Sequence, residues 1–292
     1  MRTGCLFAGW TGTGLTEPTQ TVTIAGYSTG DRSYTATWTD LWGIEDGANG
    51  SEEHPYIITT TAGLDLLAKM ANGTDGYTID NFHNKYFKLG ADIDYSTKPL
   101  DANGENYTTI GGYPNGQYRY FLGTFDGDGH TVSGIRINKE GSSDADSYLG
   151  LFGTLRGTVK NVNLSNAHIT GYAYVGGLVG YIEGGTVMNC VTGGVTLNAS
   201  QAGAYNFGGI AGRNAGIMQN CIVVGATIPA LHYTGSNEDH DASGAIVGFN
   251  NWNAHVSFNY YSGVTIGGAT TGIGVSGNDG NANRMKAIPN KV

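Results

Sequence analysis

The stretch Val175–Cys190, "VGGLVGYIEGGTVMNC", decides how this chain is read. Five of its sixteen residues are glycine, wrapped around short apolar runs. Glycines clustered in this way cradle a phosphate, close a turn or mark a repeating unit. The phosphate reading requires a helix after the loop, with a lysine or a ribose-binding acid, and none accompanies the stretch. The repeat reading is met at once. Gly150–Val162 "GLFGTLRGTVKNV", Gly177–Cys190 "GLVGYIEGGTVMNC", Gly209–Cys221 "GIAGRNAGIMQNC" and Ala245–Tyr260 "AIVGFNNWNAHVSFNY" all read Gly/Ala–apolar–apolar–Gly. An asparagine follows the second glycine by 8 to 11 residues (Asn161, Asn189, Asn220, Asn259), and after it comes a candidate inward residue (Val162, Cys190, Cys221, Tyr260). The glycines recur at intervals of 27, 32 and 36 residues.

Each interval holds about three short β-like pieces and no segment of helical period. Such strands cannot bury a face alone, but stacked coil on coil they can. The sequence therefore predicts an all-β protein, a parallel β-helix. The paired glycines are expected to let the chain bend sharply, and the asparagines to stack at one corner and hydrogen-bond along the axis. Phe87–Ser96 and Tyr120–Ile137 read as degenerate coils. One helix is expected over about 61–72. There Leu64, Leu67, Ala68 and Ala71 share one face, with Thr61 as the cap and Gly73 after the end. Lying over the first coil, it would cover an open sheet edge. Residues 1–40 read as a separate small β module. A glycine-rich acidic linker follows near residue 40, the β-helix runs over 41–275, and 276–292 form a polar tail.

Of 292 residues, 49 are glycine, 6 proline and only 13% charged, a composition of strands and turns. The net charge of −9 argues against nucleic acid or an anionic membrane as partner. Nineteen of the 24 acids lie in residues 1–149. No apolar run reaches the roughly 20 residues of a membrane-spanning helix, so no membrane insertion is expected, and the start "MRTGCLFAG" lacks a signal-peptide core.

The Gly-Leu-x-Gly tetrapeptides, with the upstream "FLGTFDGDGHTVSGIRI" and "PYIITTTAGLDLLAKMANG…YFKLGADID", resemble the GLUG motif of large bacterial surface proteins over about residues 42–265. The resemblance implies a right-handed parallel β-helix on secreted or surface-attached proteins, most without known activity. Residues 3–39 ("TGCLFAGWTGTG", "STGDRSYTATWT") resemble the C-terminal half of a Listeria–Bacteroides repeat, a small β-grasp module that serves as a stalk. Some GLUG relatives are IgA-specific metallopeptidases, whose zinc helix reads His-Glu-x-x-His. None of the seven histidines here begins that motif, so the activity is not carried over.

Chemistry is sparse. "GIGVSG" at Gly272–Gly277 matches Gly-x-Gly-x-x-Gly, but without a following helix or acid. The insertion "HYTGSNEDHDASG" (232–244) is the first candidate site. Asn237, Glu238, Asp239 and Asp241 offer oxygen ligands for Ca²⁺, and Tyr233 adds a ring; the plain alternative is a solvated acidic loop. Asp126 and Asp128 in "FDGDGH" read as an acid pair, a calcium turn or a structural turn, and Asp92 and Asp94 lie on one side of a strand. No cofactor is expected beyond that calcium. Cys190 and Cys221 occupy equivalent places in neighbouring coils, either as buried thiols or as a disulfide. Tyr113, Tyr118, Tyr120, Tyr172, Tyr174, Tyr205 and Trp252 either stack on sugar rings or pack on strands. Two readings follow. The first is a non-catalytic surface or secreted scaffold, a monomeric module of a larger surface protein that binds glycan or host protein. The second is a β-helix polysaccharide lyase or glycosidase, which needs paired carboxylates or a base beside a cation.

Overall fold

The computed structural model describes residues 3–231, 243–251 and 253–267, together with the strands Ile273–Ser276 and Met285–Ala287. The chain winds into a parallel β-helix of about six turns whose strands pair with the equivalent strands of the coils before and after. The first face has seven strands: Tyr56–Ile58, Tyr86–Leu89, Thr124–Asp126, Thr158–Lys160, Thr186–Met188, Ile217–Gln219 and His255–Ser257. The second face also has seven, from Ile93–Asp94 to Met285–Ala287, and the third has five, from Arg136–Asn138 to Thr265–Ile266. The fourth face has five: Phe152–Leu155, Val179–Ile182, Ala211–Asn214, Val247–Asn250 and Ile273–Ser276. A three-stranded row (Ala173–Gly176, Tyr205–Gly208, Ser243–Gly244) leads into it. The pairings Phe152↔Val179, Val179↔Ala211 and Ala211↔Val247 carry the unequal intervals of the tetrapeptides directly into coil length.

The tetrapeptide glycines act differently from expectation. Gly150, Gly153, Gly177, Gly180, Gly209, Gly212 and Gly248 all lack positive φ, so a left-handed bend is not their role. Their role is close approach. A Cβ on Gly180 would stand 2.6 Å from Leu149 N and 2.7 Å from Tyr174 O, and one on Gly212 would stand 2.4 Å from Val175 N. The row Ala173–Gly176 and Tyr205–Gly208 lies directly on the fourth face, backbone against backbone, and only glycine leaves room. Gly177 and Leu178 form the bend, while Val179 and Gly180 already belong to the strand Val179–Ile182.

The sharp corners lie elsewhere. Asn161, Asn189 and Asn220 adopt left-handed φ of 55°, 55° and 54°, where the short amide is tolerated. Asn189 donates to Asn161 Oδ1 and Asn220 to Asn189 Oδ1, each at 3.3 Å, and Asn161 donates to Asp126 Oδ1 at 2.9 Å. The expected axial ladder therefore forms over three coils and ends on a carboxylate. The fourth asparagine leaves it. Ile222 pairs with Tyr260, so Phe258 (φ 55°) takes the corner and Asn259 falls opposite Cys221, inside the helix. There Asn259 accepts from Cys221 N (2.8 Å) and donates to Met218 O (3.1 Å), which satisfies an amide that is fully buried. The expected inward Tyr260 instead faces outward. Cys190 and Cys221 are free thiols, both fully buried in successive coils. Burial, then the hydrogen bond with Cys221, pushes the Cys190 thiol well up.

The helix Thr61–Asn72 is capped by Thr60, one residue earlier than expected, whose hydroxyl accepts from Gly63 N. Gly73 ends it in left-handed conformation. Leu66 and Met70 are buried along with Leu64, Leu67, Ala68 and Ala71, a wider stripe than one face, and all join the hydrophobic core of the first coils. Residues 3–40 form an antiparallel pair, Cys5–Gly12 with Tyr34–Asp40. Leu41 N donates to Gly4 O where the pair meets the β-helix.

Candidate functional site: a tyrosine and arginine strip on the fourth face

The residue after the second glycine of each tetrapeptide points out of the fourth face. These are Thr154, Tyr181, Arg213 and Phe249, in one register column. Its neighbour Ile182 is fully buried, so Tyr181 faces outward, where it is half-buried. A second column adjoins it. Tyr148 and Tyr174 stand one coil apart, at left-handed φ of 60° and 52°, and Asn206 continues them at 61°. This conformation, unusual for a bulky residue, throws both rings over the fourth face beside Tyr181.

Together these columns make a continuous aromatic surface. Tyr148 stacks on Tyr174 at 4.7 Å and Tyr174 on Tyr181 at 5.8 Å. Tyr205 meets Tyr174 edge-on at 5.2 Å and Tyr172 at 5.8 Å. At the other end Tyr118 meets Tyr148 at 5.4 Å, Tyr113 at 4.7 Å and Tyr120 at 6.4 Å. The Tyr118 and Tyr148 hydroxyls are 3.1 Å apart. Tyr118 is the most open of these rings, 43% exposed; Tyr148 and Phe249 are buried and the others half-buried.

Two arginines are set into the surface. Arg156 lies 3.8 Å over the Tyr120 ring and bonds Glu183 at 2.9 Å. Arg213 lies 5.3 Å from the Tyr181 centroid, 5.1 Å from Phe249 and 5.8 Å from Tyr174, with Nε donating to Asn251 Oδ1 at 2.9 Å. Burial, then hydrogen bonding to a neighbouring tyrosine, raises the phenols of Tyr148 and Tyr205. Burial raises Tyr120 and Tyr181 as well. All four therefore stay neutral at physiological pH, suited to stacking and hydrogen bonding rather than to taking protons.

Of the tyrosines named from sequence, Tyr113, Tyr118, Tyr120, Tyr172, Tyr174 and Tyr205 come together here. Tyr148, Tyr181, Phe249 and the two arginines were not assigned to that surface. For Tyr181, Arg213 and Phe249 the signal was present in the single position that follows each tetrapeptide. Tyr233, Asn237, Glu238, Asp239, Asp241 and Trp252 lie outside the described residues. Asp126 and Asp128 are engaged by neighbouring coils: Asp126 with Lys160 (3.2 Å) and Asn161, Asp128 with Lys88 (2.9 Å). Burial pushes the Asp126 carboxyl up, but the bonds from Asn161, the Asp128 N–H and Lys160 outweigh it and hold it below the usual range. Asp92 holds His130 and the Thr131 N–H, and Asp94 holds Ser96 and Ser133. Among the described residues no three His, Cys, Asp or Glu gather as a metal site, and no helix is long and apolar enough to cross a membrane.

The fold defines a repeat protein of the parallel β-helix class. It is similar to a Bacteroides ovatus protein provisionally named an immunoglobulin A1 protease, with a TM-score of 0.52 and 22% identity over 82% of this chain and 66% of that one, a likeness of fold alone. In sequence it is 34% identical over 168 residues, 56% of its length, to halomucin of Haloquadratum walsbyi. It is also 34% identical over 139 residues, 46% of its length, to a protein of Evansella cellulosilytica provisionally named a Gly-rich membrane protein. The matches span only 2% and 14% of those two relatives. No protein-family model matches the chain.

Proposed function

We propose that this protein is a non-catalytic scaffold of the extracellular or cell-surface kind, a module of a larger GLUG-type surface protein, and that it holds glycan along the fourth face. The N-terminal strand pair would belong to a Listeria–Bacteroides-type stalk module. The observation that carries this reading is the continuous run of tyrosine rings from Tyr113 to Tyr205, interleaved with Arg156 and Arg213. A pyranose has an apolar C–H face that packs on an aromatic ring, and its rim of hydroxyls pairs with phenols and amides. A rigid β-helix presents those rings already ordered, so little side-chain entropy is lost on binding. A relative named as a membrane protein supports a surface setting.

The lyase or glycosidase reading fares worse on this face. Glu183 is tied to Arg156, and a lyase-type tyrosine base would need a lowered phenol, whereas these phenols are raised. The test is a glycan array run beside a reducing-sugar assay. Binding without turnover, weakened about tenfold or more by Tyr118→Ala combined with Tyr181→Ala, is the expected result. Turnover of any polysaccharide would overturn it, as would binding indifferent to both tyrosines.

A further inference from the structure

Arg213 differs from the other arginines of the strip. Arg156 is neutralised by Glu183, and Arg119 turns its terminal nitrogens to Tyr118 O and Gln117 Oε1. Arg213 is held among Tyr174, Tyr181 and Phe249, its Nε is bonded to Asn251, and among the described residues its two terminal nitrogens meet no hydrogen-bond acceptor. The aromatic contacts and the Asn251 bond fix the plane of the guanidinium. Its outer edge is thus presented as a preformed fork for a two-oxygen anion. Placement among rings also strips water from the cation, which strengthens any charge-assisted bond it makes. Residues 1–149 carry nineteen acids against nine lysines and arginines, whereas residues 150–267 carry four acids against three, so the charge around Arg213 opposes an anion less than that of the first coils.

We propose that Arg213 is the anion-recognising position of the strip, taking the carboxylate or sulfate of an acidic polysaccharide while the sugar ring rests on Tyr181 and Tyr174. This rests on the glycan reading of the strip and adds a charge requirement to it. The uronate carboxyl or sulfate ester would pair with the two terminal nitrogens. The chain would then run along the coil axis, because the rings beyond Arg213 lie in that direction.

The experiment compares polymers that differ only in charge: polygalacturonate against its methyl ester, and dextran sulfate against dextran. Binding is measured to the whole protein and to Arg213→Gln, Arg213→Lys and the Tyr118→Ala/Tyr181→Ala double variant, each checked for native far-UV dichroism. We expect the protein to prefer polygalacturonate to its ester by about tenfold or more. Arg213→Gln should erase that preference, bringing polygalacturonate binding down to the level of the ester, and Arg213→Lys should recover only part of it. Preference for dextran sulfate alone would still support the proposal and assign the anion as sulfate. Equal binding of the charged and neutral polymers, or a preference that survives Arg213→Gln, overturns the anion proposal. The strip reading stands in that case if the tyrosine variant still weakens binding to both polymers. Binding of poly-glutamate as tight as that of either acidic polysaccharide would overturn the sugar assignment, and no binding to any polymer overturns both readings.

Discussion

The coils before residue 150 and those after it solve the same stacking problem with different chemistry. The early interior is aromatic. Ring packing is concentrated at Trp42, which meets Tyr56, Phe82 and Phe87 within 5.1 to 5.9 Å, and the rings continue through Phe121 to Phe152. The later interior is filled by Val187, Cys190, Leu197, Met218, Cys221 and Val223. The early exterior is tied by ion pairs such as Lys98–Asp65, Lys139–Glu105 and Lys88–Asp128, whereas beyond residue 150 the described pairing within the coils is Arg156–Glu183. An end coil lacks a neighbour on one side. It must close its core with a helix and bulky rings and hold irregular loops with charge, while an inner coil is held by its neighbours on both sides.

That contrast can be broken first in the core. Phe87→Ala should cost about 3–5 kcal/mol by leaving a cavity among Trp42, Tyr56 and Phe82, and Val187→Ala about 2 kcal/mol. Denaturant unfolding measures both, and equal losses would remove the distinction. Next comes close approach against backbone freedom. Gly180→Ala should cost about 3 kcal/mol because its Cβ meets main-chain atoms that cannot yield. Gly184→Ala, at φ +79° with nothing within 4 Å, should cost about 1 kcal/mol. If the two cost the same, the tetrapeptide glycines are needed for conformation after all. The corner ladder is a smaller term. Asn189→Ala loses the amide rungs and strains the left-handed corner, about 1–2 kcal/mol, while Asn189→Gly keeps the corner and should lose about half as much; melting temperatures separate them.

The smallest and most selective effect is acid sensitivity. Among the described residues, carboxyls held below their ordinary range belong to Asp40, Asp92, Asp94, Asp101 and Asp126, all in the early half. A depressed carboxyl stabilises the fold above about pH 4, and that contribution is lost as pH falls through its folded value. Peptic nicking between pH 4 and 2 should therefore begin within residues 40–130. First cleavage within 150–231 would contradict this.

How much of this was legible depends on the kind of information each feature needs. The repeat, the helix over Thr61–Asn72 and the three-coil asparagine ladder could be read because each rests on local spacing, and local spacing survives stacking. The position of Asn259 could not. The sequence aligns it with Asn220, but pairing of Ile222 with Tyr260 sets the register, and a slip of one residue moves the side chain from corner to core. The strip was half legible. Its tyrosines are visible in the sequence, but Tyr118, Tyr148, Tyr174 and Tyr205 come from four different coils, and adjacency between coils has no sequence separation to reveal it.

By itself the sequence determined that the chain stacks as a parallel β-helix, where its coils repeat and which end is capped, because glycine, asparagine and alternating apolar residues impose those features locally. Only the tertiary structure decided that the tetrapeptide glycines serve close backbone approach and that a column of outward residues becomes part of one aromatic face, with Arg213 set among its rings. Both depend on which backbone lies within a few ångströms of which, and that distance is fixed by the coil above and the coil below.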